Sequence, residues 1–137
     1  MAKILIVDDE SEVRRAIVEI VQSGGHETHE GFDGVGALEG VKEHRPDVLL
    51  CDWMLPELFG GEVIQKIRSD SEYADFKDLP IIVVSDFADE TSERKFTQAG
   101  ANAFVAKNDN LEGMREELLA AITDLLEKSD DDRLEKL

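Results

Sequence analysis

ILIVDD, residues 4–9, is an apolar run that ends abruptly in two carboxylates, and the same construction recurs three times along the chain. VLLCDWMLP (48–56) puts Asp52 at its apolar end, PIIVVSD (80–86) puts Ser85 and Asp86 there, and ANAFVAK (101–107) closes on Lys107. Short unbroken apolar runs are what strands buried on both faces of a parallel sheet look like. In such a sheet, ligands bind in the crevice outside the carboxyl ends of the strands. That rule brings Asp8, Asp9, Asp52, Ser85 and Lys107 to one place: three carboxylates, a hydroxyl and an ammonium.

The segments between these runs read as helices. Residues Ser11–Ser23 carry Val13, Ala16, Ile17, Ile20 and Val21 on one face, a core-facing stripe that Gly24 and Gly25 terminate. The second strand, His26–Glu30, is much the most polar, as an edge strand would be. Helix two is expected over Asp33–His44 and strand three over Asp47–Asp52, after Pro46. Helix three follows over Gly60–Ser69, with a polar loop through Lys77, then strand four, Ile81–Ser85. Helix four is expected over Asp89–Ala99 and strand five over Ala103–Lys107. Asp109-Asn110-Leu111-Glu112 reads as an acidic variant of the capping box, opening a last helix that reaches Lys128. This alternation predicts an α/β fold, a flavodoxin-like doubly wound sheet of five parallel strands in the order 2-1-3-4-5, with helices on both faces. The expected organisation is one domain over residues 1–128 and an acidic, frayed C-terminal tail over 129–137.

Composition narrows the class. The net charge is −17, from 32 acidic and 15 basic residues, and setting aside Asp8, Asp9, Asp52 and Asp86 leaves the bases still heavily outnumbered. Such a surface repels phosphate backbones, so direct binding to nucleic acid or to an anionic membrane is not expected. Proteins with basic patches are the expected partners. No apolar run approaches the roughly 18 residues that span a bilayer, and no signal-peptide pattern opens the chain, which makes it an expected cytoplasmic protein. One cysteine, Cys51, rules out an internal disulfide; alternation along its strand turns it away from Asp52 and into the core. His26, His29 and His44 end no apolar run and read as surface residues, with no zinc-ligand spacing around them.

The chemistry follows from the residue types. A strand-end carboxylate such as Asp52 can attack phosphorus and form an acyl phosphate. Three carboxylates crowded together repel, and a cation is needed for all to ionise. Mg2+ suits them, since it takes one or two carboxylates and completes its shell with waters and phosphate oxygens. The order and spacing of these features also match a family. DD ends the first strand, D-x-x-x-P with Gly60 behind it ends the third, a serine ends the fourth, and G-A-x-x-F-x-x-K spans Gly100–Lys107. In these respects the chain resembles the receiver domain of bacterial two-component response regulators, over essentially Lys3 to Lys128.

The resemblance implies specific roles. Asp52 would be the phosphoacceptor; Asp9, Asp52 and the backbone carbonyl of Met54 would hold Mg2+, with Asp8 acting through water. Lys107 and Ser85 would contact phosphoryl oxygens, and Phe104 would rotate inward as Ser85 moves. The surface of helix four, strand five and helix five would then change shape for a downstream protein or effector, and it is also where a homodimer would form. The donor would be a sensor histidine kinase or a histidine phosphotransfer protein, and the chain would not be a turnover enzyme. Two other readings of the residues stand beside this one: a small Mg2+-dependent phosphohydrolase with an aspartate nucleophile, and a receiver-like module that binds partners without phosphorylation. Against the first, Asp8-Asp9-Glu10 stands where such hydrolases have D-x-D. Two positions depart from the family. Asn108 replaces the usual proline after Lys107, and Asp86 replaces a small residue after Ser85. Met54 and Phe87 lie two beyond Asp52 and Ser85 and cannot orient an attacking water, which predicts slow self-dephosphorylation.

Overall fold

Five strands, β1 (Lys3–Val7), β2 (Glu27–Gly31), β3 (Val48–Asp52), β4 (Ile81–Ser85) and β5 (Ala103–Ala106), pair in parallel in the order β2-β1-β3-β4-β5. Between and after them run α1 (Ser11–Ser23), α2 (Gly34–His44), α3 (Gly60–Ser69), α4 (Glu90–Ala99) and α5 (Leu111–Glu135). The computed structural model describes residues 2–86, 89–107 and 111–135, the side chains of Leu111 and 131–135 excepted. The expected capping box and the Lys107–Asn108 link therefore lie outside the described residues.

The sheet is a two-sided core, and strand alternation divides it. Leu5, Val7, Leu49, Cys51, Ile81 and Val83 pack under α2, α3 and α4 with Phe96. Ile4, Ile6, Val48, Leu50, Ile82, Val84 and Val105 pack under α1 and α5, which contribute Ile17, Val21, Met114, Leu118 and Ile122. Strands β3 and β4 are buried at every position, whereas β2 (ETHEG) leaves both glutamates exposed at the sheet edge. Burial on this scale, at roughly 25 cal/mol per Å2 of apolar surface, is the main favourable contribution to folding.

Beyond one-residue shifts at the ends of β2, α2, β3, α4 and β5, two expectations change. The stretch after α3, expected as a polar loop, forms a 3-10 turn over Ser71–Phe76: the Asp70 carboxylate accepts from the Glu72 amide at 2.9 Å, and Tyr73 is buried in the core beneath it. An aromatic anchor inside a polar segment supplies the burial that a solvated loop lacks. The last helix passes Lys128 and runs to Glu135, because no glycine or proline follows Gly113 to stop it. Its described core contacts nevertheless end near Leu125 and Leu126, so the packed domain and the helix have different ends. His29 and His44, expected on the surface, are half-buried and stacked with ring centroids 3.9 Å apart, and His29 Nε2 lies 2.7 Å from a Glu27 carboxylate oxygen.

The end of the sheet opposite the strand-end carboxylates is tied by Arg68. Its Nη1 donates to the Lys77 carbonyl at 2.8 Å, its Nε and Nη2 to the Gly100 carbonyl at 3.1 and 2.9 Å, and Nη2 also to Asn102 Oδ1 at 2.8 Å. Gly100 caps α4 at φ 112°, a conformation that suits glycine. Arg68→Ala is expected to lower unfolding free energy by about 2 kcal/mol, since charge-assisted hydrogen bonds are removed and carbonyls are left without partners. Arg68→Lys should recover little of this, because an ammonium cannot reproduce the planar fork. Denaturant unfolding of the two variants checks both statements.

Candidate functional site

Register brings the strand-end groups together. Val7 lies opposite Cys51 and Asp52 opposite Val84, so Asp8, one step beyond Val7, stands beside Asp52 on the neighbouring strand. Ser85 opposes Ala106, one step before Lys107. Asp8, Asp52 and Ser85 are the buried polar residues of the described chain.

Lys107 crosses the site. Its Nζ lies 2.8 Å from Asp8 Oδ2 and 3.0 Å from Asp52 Oδ2, and its side chain is only 8% exposed. The other oxygens are held by backbone: Asp8 Oδ1 accepts from the Glu10 amide at 2.9 Å and Asp52 Oδ1 from the Met54 amide at 3.2 Å. One ammonium thus serves two buried carboxylates. Burial is the largest influence on Asp52 and raises its pKa above the usual carboxylate range, against the lowering effect of Lys107. Burial works against the Lys107 ammonium too, but the hydrogen bonds and charges of Asp8 and Asp52 outweigh it and raise its pKa. Burial also pushes the neighbouring Cys51 thiol up, which makes it an inert core group.

Asp9 and Glu10 are exposed at the rim, where the carboxylates of Asp8, Asp9 and Glu10 lie within 4.8 Å of one another. Asp8 Oδ2 is buried and has no hydrogen-bond donor of good geometry besides its ion pair with Lys107. A hard, oxygen-only donor set with an underserved buried oxygen fits a magnesium ion. Among the described residues the acidic group thus brings Glu10 together with Asp8 and Asp9, and Asp52, expected in the same group, is instead joined to Asp8 through the lysine. Glu10 carried a signal, its place in the D-D-E run. Arg14 carried less: its Nη1 donates to the Asp8 carbonyl at 2.8 Å and its Nε to Glu30 at 3.0 Å, fixing the acidic turn to α1 and the sheet edge.

The loop after Asp52 is shaped by Gly60, the first residue of α3. A Cβ there would stand 2.4 Å from the Asp52 carbonyl oxygen and 2.8 Å from Trp53 Cα, so only glycine lets α3 begin against this turn. Trp53 is half-buried, its ring 4.7 Å from Phe96, and Phe96 is 5.9 Å from Phe104. Phe104 is partly buried and packs on the same core face as Val83, whose parity along β4 Ser85 shares. Met54 is half exposed beside Asp52, Asp86 is exposed, and Phe87 lies outside the described residues.

Comparison with known proteins adds sequence and fold relations. The profile of the response regulator receiver domain matches residues 4–123. The polar-differentiation response regulator DivK of Brucella anthropi is 33% identical over 104 residues, which are 76% of this chain and 82% of that one. The solved structure of the chemotaxis response regulator CheY4 of Vibrio cholerae is 28% identical and superposes with a TM-score of 0.77, over 88% of this chain and 98% of that one. The receiver domain of the Francisella response regulator 1452, at 22% identity, shares the fold with a TM-score of 0.81 over 94% of this chain and 99% of its own.

Proposed function

Because this chain belongs to the response regulator receiver family, we propose that Asp52 accepts a phosphoryl group from the phosphohistidine of a partner protein. Receiver domains are signalling proteins, not conventional enzymes. The observation that carries the reading is the buried Asp52 carboxylate at the end of β3 with the Lys107 ammonium 3.0 Å away.

In the proposed reaction an Asp52 carboxylate oxygen attacks phosphorus, the electron pair of the phosphorus–nitrogen bond returns to nitrogen, and the imidazole leaves neutral, keeping the proton already on its other ring nitrogen. Lys107 exchanges its contact with Asp52 for one with a phosphoryl oxygen, a charge-assisted bond that forms as the phosphoryl group arrives. Ser85 donates its hydroxyl to another phosphoryl oxygen, and Phe104 rotates toward the space Ser85 leaves. Asp9, Asp52 and the Met54 carbonyl would hold Mg2+, with Asp8 through water and Glu10 at the rim. When bound, Mg2+ screens negative charge on the transferring group. A sensor histidine kinase or histidine phosphotransfer protein would supply the phosphoryl group. The α4–β5–α5 surface would carry the output to a downstream protein or effector, biased between two states by the local charge change. No helix among the described residues is long and apolar enough to cross a membrane, which is compatible with the proposed cytoplasmic setting.

Intact-mass measurement after incubation with acetyl phosphate and Mg2+ tests this. The expected result is a gain of one phosphoryl group, absent with a chelator, and mapped by fragmentation to the peptide containing Asp52. A gain mapped elsewhere would overturn the assignment. Loss of the group should be slow, since the Met54 side chain cannot position a water. Complete loss within minutes from the purified protein would contradict that, and Met54→Asn combined with Phe87→Glu should accelerate hydrolysis.

A further inference from the structure

Large apolar side chains are costly to leave in water, and those of the described residues are left there in one region. Among the described residues, the large hydrophobics that stay exposed are Phe32 (64%), Val35 (42%), Met54 (50%) and Phe59 (53%). All four lie just before or within the first turn of α2, or in the loop leading to α3. Met54 and Phe59 flank a groove between α3 and α4 of about 480 Å3, with Trp53 and Gly61 in its lining and Lys95 and Gln98 on the α4 side. That volume is in the range of about 300–1,000 Å3 that recognition pockets occupy.

The groove is preformed. The Trp53 ring is backed by Phe96 at 4.7 Å, and a Cβ on Gly61 would come within 2.8 Å of that ring. Apolar patches rimmed by polar groups mark interaction sites. The described α4–β5–α5 face exposes no comparable side chain, since Phe104 is partly buried.

The charges select the occupant. Glu62 and Lys95 offset each other within the lining, so the surroundings set the field: Glu57 in the same loop, Asp9 and Glu10 at the adjoining mouth, and a chain of net charge −17. A second copy would bring the same acids to the contact. We propose that this groove is a docking site for a cationic amphipathic helix of a partner protein, which seats bulky apolar side chains over Trp53, between Met54 and Phe59. Helix-in-groove recognition supplies the affinity through such anchors and the specificity through the flanking charges. The proposal goes beyond the phosphoacceptor reading and does not depend on it.

Trp53 is the only tryptophan, so its emission reports this site alone. The whole chain, unphosphorylated, is titrated with a tryptophan-free Leu/Lys amphipathic peptide of about 18 residues, long enough to hold a helix. The expected result is a saturable emission change, absent with a Leu/Glu peptide of the same pattern and with a Ser/Lys peptide of the same charge. Phe59→Ala should weaken binding about tenfold, as loss of an interface anchor does, and Lys95→Glu should strengthen it several-fold. Three results would overturn the proposal: equal binding of Ser/Lys and Leu/Lys peptides, indifference to Phe59→Ala, or self-association by sedimentation that Phe59→Ala abolishes. The last would assign the groove to a second copy.

Discussion

Phe96→Ala should cost about 3–5 kcal/mol of unfolding free energy, the range for emptying a large buried aromatic site, and lower the melting temperature by roughly 10–20 °C. Phe96 is 2% exposed, and α4 has only one other buried residue, Ala99. Most of what holds that helix to the sheet is therefore one side chain. The Phe96 ring also touches both Trp53, next to Asp52, and Phe104 on β5. Truncating it leaves a cavity between the site loop and the proposed switch residue, and the Trp53 emission should shift to the red as water reaches the indole. Phe96→Leu retains apolar volume and should lose less than about 1.5 kcal/mol. A loss below about 1 kcal/mol for Phe96→Ala would mean that α4 is secured elsewhere, and the ring contacts could not then link Trp53 to Phe104.

The fold was legible because its core strands are continuous apolar runs with unmistakable ends. For α1, α3 and β4 the expected bounds coincide with those in the structure, since Gly24, Ser69 and Ser85 mark the ends of clear patterns. The order of the sheet was expected from the strand–helix alternation and from one polar strand, placed at His26–Glu30 and found one residue on, at Glu27–Gly31, on the sheet edge. Less legible was anything set by distant partners. Nothing local in SEYADF announces a 3-10 turn, because its stability comes from Tyr73 reaching a core built by other segments. The stacking of His29 on His44 joins an edge strand to the end of α2, a pairing that hydropathy does not encode. At the site, the residues could be named from strand ends, but the division of one ammonium between Asp8 and Asp52 could not. That arrangement depends on side-chain reach across three strands, which residue order leaves open.

Asp52→Asn should abolish the phosphoryl mass gain and at the same time make the protein more stable. The first effect follows because an amide cannot serve as the acceptor carboxylate. The second follows from the electrostatics. Asp52 is buried, shares its only ammonium with Asp8, and has a pKa raised chiefly by burial. A carboxylate whose native pKa lies above its unfolded value binds its proton more readily when folded. It therefore costs stability when ionised, above the native pKa, and this cost is relieved as pH falls through that value. The amide removes the cost, keeps the shape, and leaves Lys107 paired with Asp8 alone. A gain on the order of 1 kcal/mol is expected at pH 7, since burial disfavours the ionised Asp52 and Lys107 keeps Asp8 as its partner when that charge is removed. The gain should shrink as pH falls through the raised Asp52 pKa, where the natural residue becomes neutral as well. Lys107 sets the alkaline limit, because the stability from its raised pKa is present below the ordinary lysine value and is lost as pH rises through the native one. With one carboxylate partner removed, that loss should be smaller and complete at lower pH in Asp52→Asn. Denaturant unfolding from pH 4 to 12 reads all three effects. If Asp52→Asn proves less stable at pH 7, the Lys107 contact outweighs the burial of Asp52, and the acceptor is a structural ion pair first. If it is more stable, the natural protein keeps a costly charge at the end of β3, and the proposed acceptor chemistry gives a reason for its retention.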